Sequence, residues 1–510
     1  MRERTDSAPP RARGWLTDIG LAGHPPGLSV LFFAELWERF SYYGMRALLV
    51  LFMITPVAEG GLGRSAAEAA LVYGNYAMAV YLLAIPGGLA ADTLLGARRA
   101  VLIGGAVIAA GHFTLAIADP AAFYLGLALV ALGTGLFKPS ISALVGALYG
   151  PQDTRRDAGF SLFYMGINIG GFLAPLVTGF LAQSPAMKGW LAAQGLDPLQ
   201  SWHWGFAAAG AGMVIGLAIF IMFDKARGSA EGPVSMLAKP TAEAARQTLV
   251  TLFLATLGTL GLMGLIVLSD RPGFEPLRWA YVLVPAAVAV WFGVSPKEEP
   301  RRYGAMAILL IGSILFWAIF EQAGVTIALF ADQLTRSEVG GWAFPSAWFQ
   351  SLNPLFVILL APVFAALWMR LGDRQPSSPV KFGLALALLA LSFLLMVPAA
   401  LLTAEGRISP LWLVGLFFLQ TSGELLLSPV GLSTMTQLAP RRAVGFVLGI
   451  WFLGFALGSK LAGVLGSTFT ATDAEALAWS FAWQAGVAAL AALAFFALTP
   501  SIKRLMGGVR

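Results

Sequence analysis

Apolar stretches of about twenty residues follow one another along nearly the whole chain, the length needed to cross a bilayer as a helix. In hydrocarbon every backbone N–H and C=O must find a partner inside the chain, which leaves the helix as the form such segments take. The spans read roughly 27–54, 69–91, 98–118, 122–146, 158–182 and 203–223, then 245–268 and 276–295. They resume at roughly 303–331, 345–371, 381–402, 410–436, 441–466 and 475–498. The expected fold is an all-α integral membrane protein of fourteen transmembrane helices. Only 12% of its 510 residues are charged and 58% are hydrophobic, which a set of soluble domains would not tolerate. The chain has no cysteine, so disulfides, thiolate catalysis and cysteine metal sites are excluded.

An even number of crossings places both termini on one side. Arg98 and Arg99, Arg155 and Arg156, Lys225 and Arg227, Arg301 and Arg302, Arg370 and Arg374, and Arg441 and Arg442 then share that side. The opposite loops carry only scattered cations such as Arg64, Lys188, Arg336 and Arg407. This asymmetry makes the arginine-rich side cytoplasmic, with both termini on it. The net charge of +6 therefore reflects topology, and the basic pairs lack the aromatic interleaving of a nucleic-acid surface. There is no glycine-rich phosphate loop with its lysine, and no nucleophile, base and orienter set, so an enzyme is not expected. Residues 1–26 are polar, contain Pro9 and Pro10, and lack a signal peptide's apolar core; they read as a cytoplasmic tail. Residues 499–510 read as a second one.

Two internal similarities set the architecture. Pro86 through Asp92 and Arg98-Arg99 resembles Pro362 through Asp373 and Arg374, and Lys138-Pro139 with Arg155 resembles Ser428-Pro429 with Arg441. The offsets of about 276 and about 290 residues fit two six-helix halves in the same orientation, a transporter pattern with its site at the midplane. We expect an N-terminal bundle at 27–223, a linker and inserted two-helix hairpin at 224–302, and a C-terminal bundle at 303–498. The hairpin spans carry no charge away from their ends and are expected to lie outside any transport path.

Ionisable residues inside the spans narrow the function. Glu35, Glu38, Arg39, Tyr42, Tyr43 and Arg46 fall within an arc of roughly 140° on one helix. Each charge at the bilayer centre costs about 2.5–3.5 kcal/mol on the insertion scale, so the group should face a partner or a watery cavity. Lys138 in GTGLFKPS, Glu321 in FWAIFEQAG and Glu424 in TSGELLLSP are flanked by apolar residues in the same way. Superposing the prolines of the repeats brings Glu424 near the level of Lys138, and Arg46 and Glu321 share the outer side of the first helix of each half. Lys138–Glu424 and Arg46–Glu321 are therefore candidate gating pairs. Trp451 and Phe452 are candidate cavity walls. Lys460 has no evident partner.

ELWERFSYYG at Glu35 to Gly44 resembles the E-x-x-E-R-F-x-Y-Y-G signature of the proton-dependent oligopeptide transporter family. The resemblance extends to YGNYAMAVYL, PGGLAAD, GTGLFKP, FYMGINIGG, FWAIFEQ and GELLLSP, and so covers essentially the whole membrane core. It implies a major facilitator fold with an inserted hairpin, and uptake of di- and tripeptides with protons across a bacterial inner membrane. By motif position it implies proton coupling at Glu35, Glu38, Arg39 and Glu321. It implies peptide-carboxylate contacts at Arg39, Arg46 and Lys138 with Tyr43 and Tyr81, and amino-end contacts at Asn168, Asn353 and Glu424, with Ser428 one turn on. Trp317, Trp451 and Phe452 match aromatic cavity positions. No cofactor beyond the coupling proton, and no obligatory protein partner, is implied. Gly74 replaces the histidine of animal members, and Gly171 replaces a common serine.

A zwitterionic peptide offers two fixed charges and a variable middle, so recognition should clamp the ends with charge-assisted bonds. Rival readings are a symporter of the same family for nitrate or a peptide-like drug, a channel, and a non-transporting receptor or scaffold. Glu424 with Asn168 and Asn353 favours an amine-bearing substrate over nitrate.

Overall fold

The computed structural model describes residues 23–150, 153, 155–222, 242–274, 300–439 and 444–507. The expected span 276–295, most of the linker 224–244, and Arg441 and Arg442 lie outside the described residues. Eleven described helices are long and apolar enough to cross a membrane. Pro26–Ile54 and Ala97–Leu115 cross beside them, their apolar length interrupted by the charges noted above.

The first half runs α1 (Pro26–Ile54), α2 (Ala66–Leu82), α3 (Ala84–Ala90), α4 (Ala97–Leu115), α5 (Pro120–Ala147), α6 (Arg156–Gln183), a short α7 (Pro185–Ala193) and α8 (Ser201–Met222). Side chains outside the apolar core start several of them. Ser65 and Glu68 form a capping box on α2, and Asp119 accepts from Ala122 N–H at 2.8 Å to open α5. Helix α1 packs on α6 and α8, and α4 packs on α5 and α8. Glycines allow these close approaches: a Cβ at Gly104 would lie 2.7 Å from the carbonyl oxygen of Gly133 on α5.

After α9 (Ala242–Leu268), the second half runs α10 (Pro300–Phe320), α11 (Thr326–Gln333), α12 (Leu352–Leu371), α13 (Ser378–Leu402), α14 (Leu411–Leu438), α15 (Val444–Gly466) and α16 (Ala474–Met506). Here α13 packs on α14 and α16, and α10 on α15. The expected span 303–331 is discontinuous: the chain leaves the α-helix at Glu321, makes a tight turn to Gly324, and restarts at Thr326. Irregular backbone at membrane depth needs protein around it, and Glu321, Gln322, Ala323 and Gly324 are all buried. Between α11 and α12 a two-residue hairpin pairs β1 (Glu338–Val339) with β2 (Trp342–Ala343), a feature the helical reading of the sequence lacks. Its turn requires positive φ at Gly340 and Gly341, 59° and 81°.

The halves meet along α2–α15, α6–α12 and α1–α11. Gly74 faces Gly463 so closely that a Cβ on Gly74 would lie 2.9 Å from the Gly463 Cα. Ser351 Oγ donates to the Phe172 carbonyl at 2.8 Å, Trp348 Nε1 to that of Leu176 at 3.0 Å, and Gln183 Nε2 to Ser346 Oγ at 2.9 Å. These contacts all lie toward the face opposite the arginines.

Candidate functional site

Charged side chains from both halves converge beneath that closed face. On α1, Glu35, Glu38 and Arg39 are 3%, 0% and 5% exposed. The guanidinium bridges both carboxylates: Nε lies 3.2 Å from Glu35 Oε1, Nη2 donates to Glu38 Oε1 at 2.6 Å, and Nε also donates to Glu38 Oε2. Tyr42 lies under the guanidinium at 5.1 Å. Two carboxylates thus share one cation, and Glu35 Oε2 is buried with no hydrogen-bond partner among the described residues. A buried oxygen left this way is costly unless something protonates or solvates it.

Two turns on, Arg46 donates from Nη2 to Glu321 Oε2 at 2.7 Å and from Nε to the Tyr73 hydroxyl at 2.6 Å. The break in the chain at Glu321 is what turns this carboxylate from the second half toward α1. Tyr73 packs on Gly324, where any side chain would collide with its ring. The guanidinium also sits 5.9 Å from the Tyr43 ring centroid.

Lys138 of α5 is half-buried and places Nζ 4.3 Å above the Tyr81 ring centroid. Glu424 of α14 is half-buried too; its Oε2 accepts from Asn353 Nδ2 at 2.8 Å, and the same amide donates to Thr421 Oγ1 at 3.0 Å. In this conformation Lys138 therefore faces Tyr81 and Glu424 faces Asn353, and the two do not pair with each other. Glu424 lies within electrostatic reach of Arg46 and Glu321, and Lys138 within reach of Glu35 and Glu38. Charged groups of the two halves thus lie within electrostatic reach of one another across the seam.

The remaining expected residues divide. Asn168 is 7% exposed and donates to the Tyr164 carbonyl of its own helix at 2.9 Å. Ser428 is half-buried one turn beyond Glu424. Trp317 is 2% exposed and stacks on Phe455, centroids 3.7 Å apart, while Tyr81 stacks on the same ring at 5.2 Å. It backs the wall formed by Tyr81 and Phe455. Trp451 is buried against Gly431 and Phe382 inside the second half, whereas its neighbour Phe452 is exposed. An indole so enclosed offers no surface to a ligand here, which separates two adjacent residues that the sequence treats alike.

Two features were missed. Tyr164 is 41% exposed and lies within electrostatic reach of Glu424 and Tyr43; the FYMGINIGG motif contains it but does not tell which face it takes. Lys460, fully buried, donates to Asp270 Oδ2 at 2.5 Å and Asn75 Oδ1 at 2.6 Å. Asp270 lies two residues past α9, so the end of that apolar helix reaches a buried ion pair. Gly171 sits where a Cβ would lie 3.1 Å from the Tyr43 ring, which accounts for the missing serine. Gly74, packed on Gly463, has no room for an imidazole.

The sequence model described as the POT family matches residues 98–480. The peptide transporter YePEPT of Yersinia enterocolitica subsp. palearctica is 40% identical, the match covering 96% of each chain. The di-/tripeptide transporter of Lactococcus lactis subsp. cremoris is 36% identical, over 97% of this chain and 99% of the other. A crystal structure of a mutant peptide transporter POT in complex with alafosfalin superposes with a TM-score of 0.84 at 40% identity, covering 96% of this chain and 97% of that one. The architecture is thus the major facilitator fold, two six-helix bundles with two further helices, and the chain is a multi-pass membrane transporter rather than an enzyme. It belongs to the POT family of peptide transporters.

Proposed function

We propose that the chain is a proton-coupled symporter that imports di- and tripeptides by alternating access. The observation that carries this reading is the pair of unmatched charges, Lys138 from one half and Glu424 from the other, facing one chamber. Arg39, Arg46 and Lys138, with Tyr43 and Tyr81, hold the peptide carboxylate. Glu424 and Asn353, with Asn168 and Ser428 nearby, hold its amino end. Phe452 and Tyr164 present apolar and aromatic surface that tolerates varied side chains. The relatives named as di-/tripeptide transporters support the substrate class.

Proton coupling is assigned to Glu35, Glu38, Arg39 and Glu321. A carboxylate binds its proton less tightly beside a guanidinium and more tightly when desolvated, so making and breaking such pairs loads and releases protons. One proton on the Glu35/Glu38 pair leaves Arg39 with a single carboxylate and frees donors for the substrate. Protonation of Glu321 releases Arg46 and opens the face it closes; re-forming Arg46–Glu321 closes it again. Formation and rupture of Lys138–Glu424 gate the other end. With the arginine-rich face cytoplasmic in the plasma membrane, the conformation described is closed outward and open inward.

Peptide-driven proton uptake in proteoliposomes tests this. Dialanine is expected to acidify the lumen, and Lys138→Ala is expected to abolish the signal. Uptake that ignores the proton gradient, or that nitrate competes for as well as dialanine does, overturns the reading.

A further inference from the structure

The first inserted helix, α9, ends in a contact that its composition does not announce. Helix α9 is almost wholly apolar and largely exposed along its length, with Phe253 and Leu257 at 64% and 56%. Two residues past its end, Asp270 turns inward, and its Oδ2 takes both Lys460 Nζ and Asn75 Nδ2, the latter at 3.0 Å. Lys460 Nζ closes the triangle on Asn75 Oδ1. Lys460 is fully buried, and Asp270 Oδ1 is buried with no hydrogen-bond partner among the described residues.

Three separate bodies meet there. Asn75 belongs to α2 of the first half, Lys460 to α15 of the second, and Asp270 to the hairpin. Helix α9 packs against α2 and α3 of the first half, so the bond from Asp270 to Lys460 crosses the same seam as Asn75–Lys460. The Gly74–Gly463 contact lies one turn or less away on the same two helices.

We propose that the end of α9 is part of the gate: Asp270 latches α15 to α2 through Lys460 and holds the face opposite the arginines closed. This rests on the alternating-access reading above. A lysine buried in the closed seam needs its counter-ion; when α2 and α15 part, water reaches it and the need falls. Removing Asp270 alone therefore penalises the closed state, because it breaks a buried charge-assisted pair across the seam, whereas neutralising both partners does not.

The chain has no cysteine, so spin labels at Arg64→Cys and Arg407→Cys, both exposed on that face, report its opening by double electron–electron resonance in proteoliposomes. In the parent, dialanine with a proton gradient must shift the label separation; no shift sinks the alternating-access reading itself. Without substrate, Asp270→Asn is expected to raise the ratio of long to short separations roughly tenfold. Asp270→Asn combined with Lys460→Gln is expected to return it to within about twofold of the parent. A single variant as closed as the parent, or a double variant as open as the single, overturns the latch. Should Asp270→Asn fail to reach the membrane, Lys460→Gln alone breaks the contact from the other side. It must open the face severalfold, and no opening there overturns the proposal equally.

Discussion

The two ends of the chamber are built differently. Toward the face opposite the arginines, the halves are tied by Arg46–Glu321, by Tyr73 against Gly324, by Gly74 on Gly463, and by backbone-directed bonds from Ser351 and Trp348. Toward the arginine-rich face, Lys138 and Glu424 each turn to a neutral neighbour of their own half. The ion pair described near that face, Arg155 with Asp153 at 2.7 Å, stays within one half, where Arg155 also donates to the Gly23 carbonyl at 3.0 Å. Charges matched across the seam close it; charges unmatched across it are free for a zwitterion. Substitutions at the open end should therefore alter binding, and substitutions at the closed end should alter which face is open.

The largest effect is expected at the open end. Lys138→Ala removes a charge-assisted contact worth about 1.5–3 kcal/mol, so dialanine affinity should fall roughly ten- to a hundredfold by scintillation proximity binding. Affinity within about twofold of the parent would erase the distinction between the ends. At the closed end, Glu321→Gln leaves Arg46 without its carboxylate. Gradient-driven accumulation should fall about tenfold, with exchange of labelled dialanine in counterflow retained. Equal loss in both assays would make Glu321 a binding residue instead.

A smaller effect is expected from Gly74→Leu, which wedges α2 from α15. Closure should weaken severalfold, read as faster maleimide labelling of Asn75→Cys on the Gly74→Leu background than on the parent. Unchanged labelling means that another contact sets the seam. The smallest effect belongs to Asp153→Asn. The Arg155 guanidinium holds the Asp153 carboxyl down at about 2, below the usual carboxylate range. Its contribution is present above that range and lost only as pH falls through about 2. Uptake rate and its pH profile should match the parent through the neutral and mildly acidic range, and a shifted profile would place this surface pair in the coupling machinery.

How much of this the sequence discloses depends on whether a contact is local. Glu35, Glu38, Arg39 and Arg46 share one helix, so helical periodicity alone puts them on one face. Lys138 and Glu424 become legible through the repeat, because equivalent prolines fix their depth. Lys460 is opaque for the opposite reason: its partners, Asn75 and Asp270, lie 385 and 190 residues away on elements that no repeat relates to it. Tyr164 and Trp451 fail differently. An aromatic residue in an apolar helix carries no sign of whether it faces the chamber or the bundle core, and only packing decides. The break at Glu321 has a signal in the Gly324 that follows, yet an isolated glycine in an apolar run does not specify an unwound turn. The Gly340-Gly341 turn was readable, and the strands beside it were too short to register.

The account stands on one claim: opposite charges from opposite halves hold the two ends of a peptide in a single chamber. Binding of dialanine, N-acetyl-dialanine and dialanine amide to the parent, Lys138→Ala and Glu424→Gln measures it most directly. Each blocked peptide should bind the parent at least roughly tenfold more weakly. Amidation should cost little further in Lys138→Ala, and acetylation little further in Glu424→Gln. Blocked peptides that bind the parent as tightly as dialanine, or penalties that persist undiminished in both variants, would contradict it.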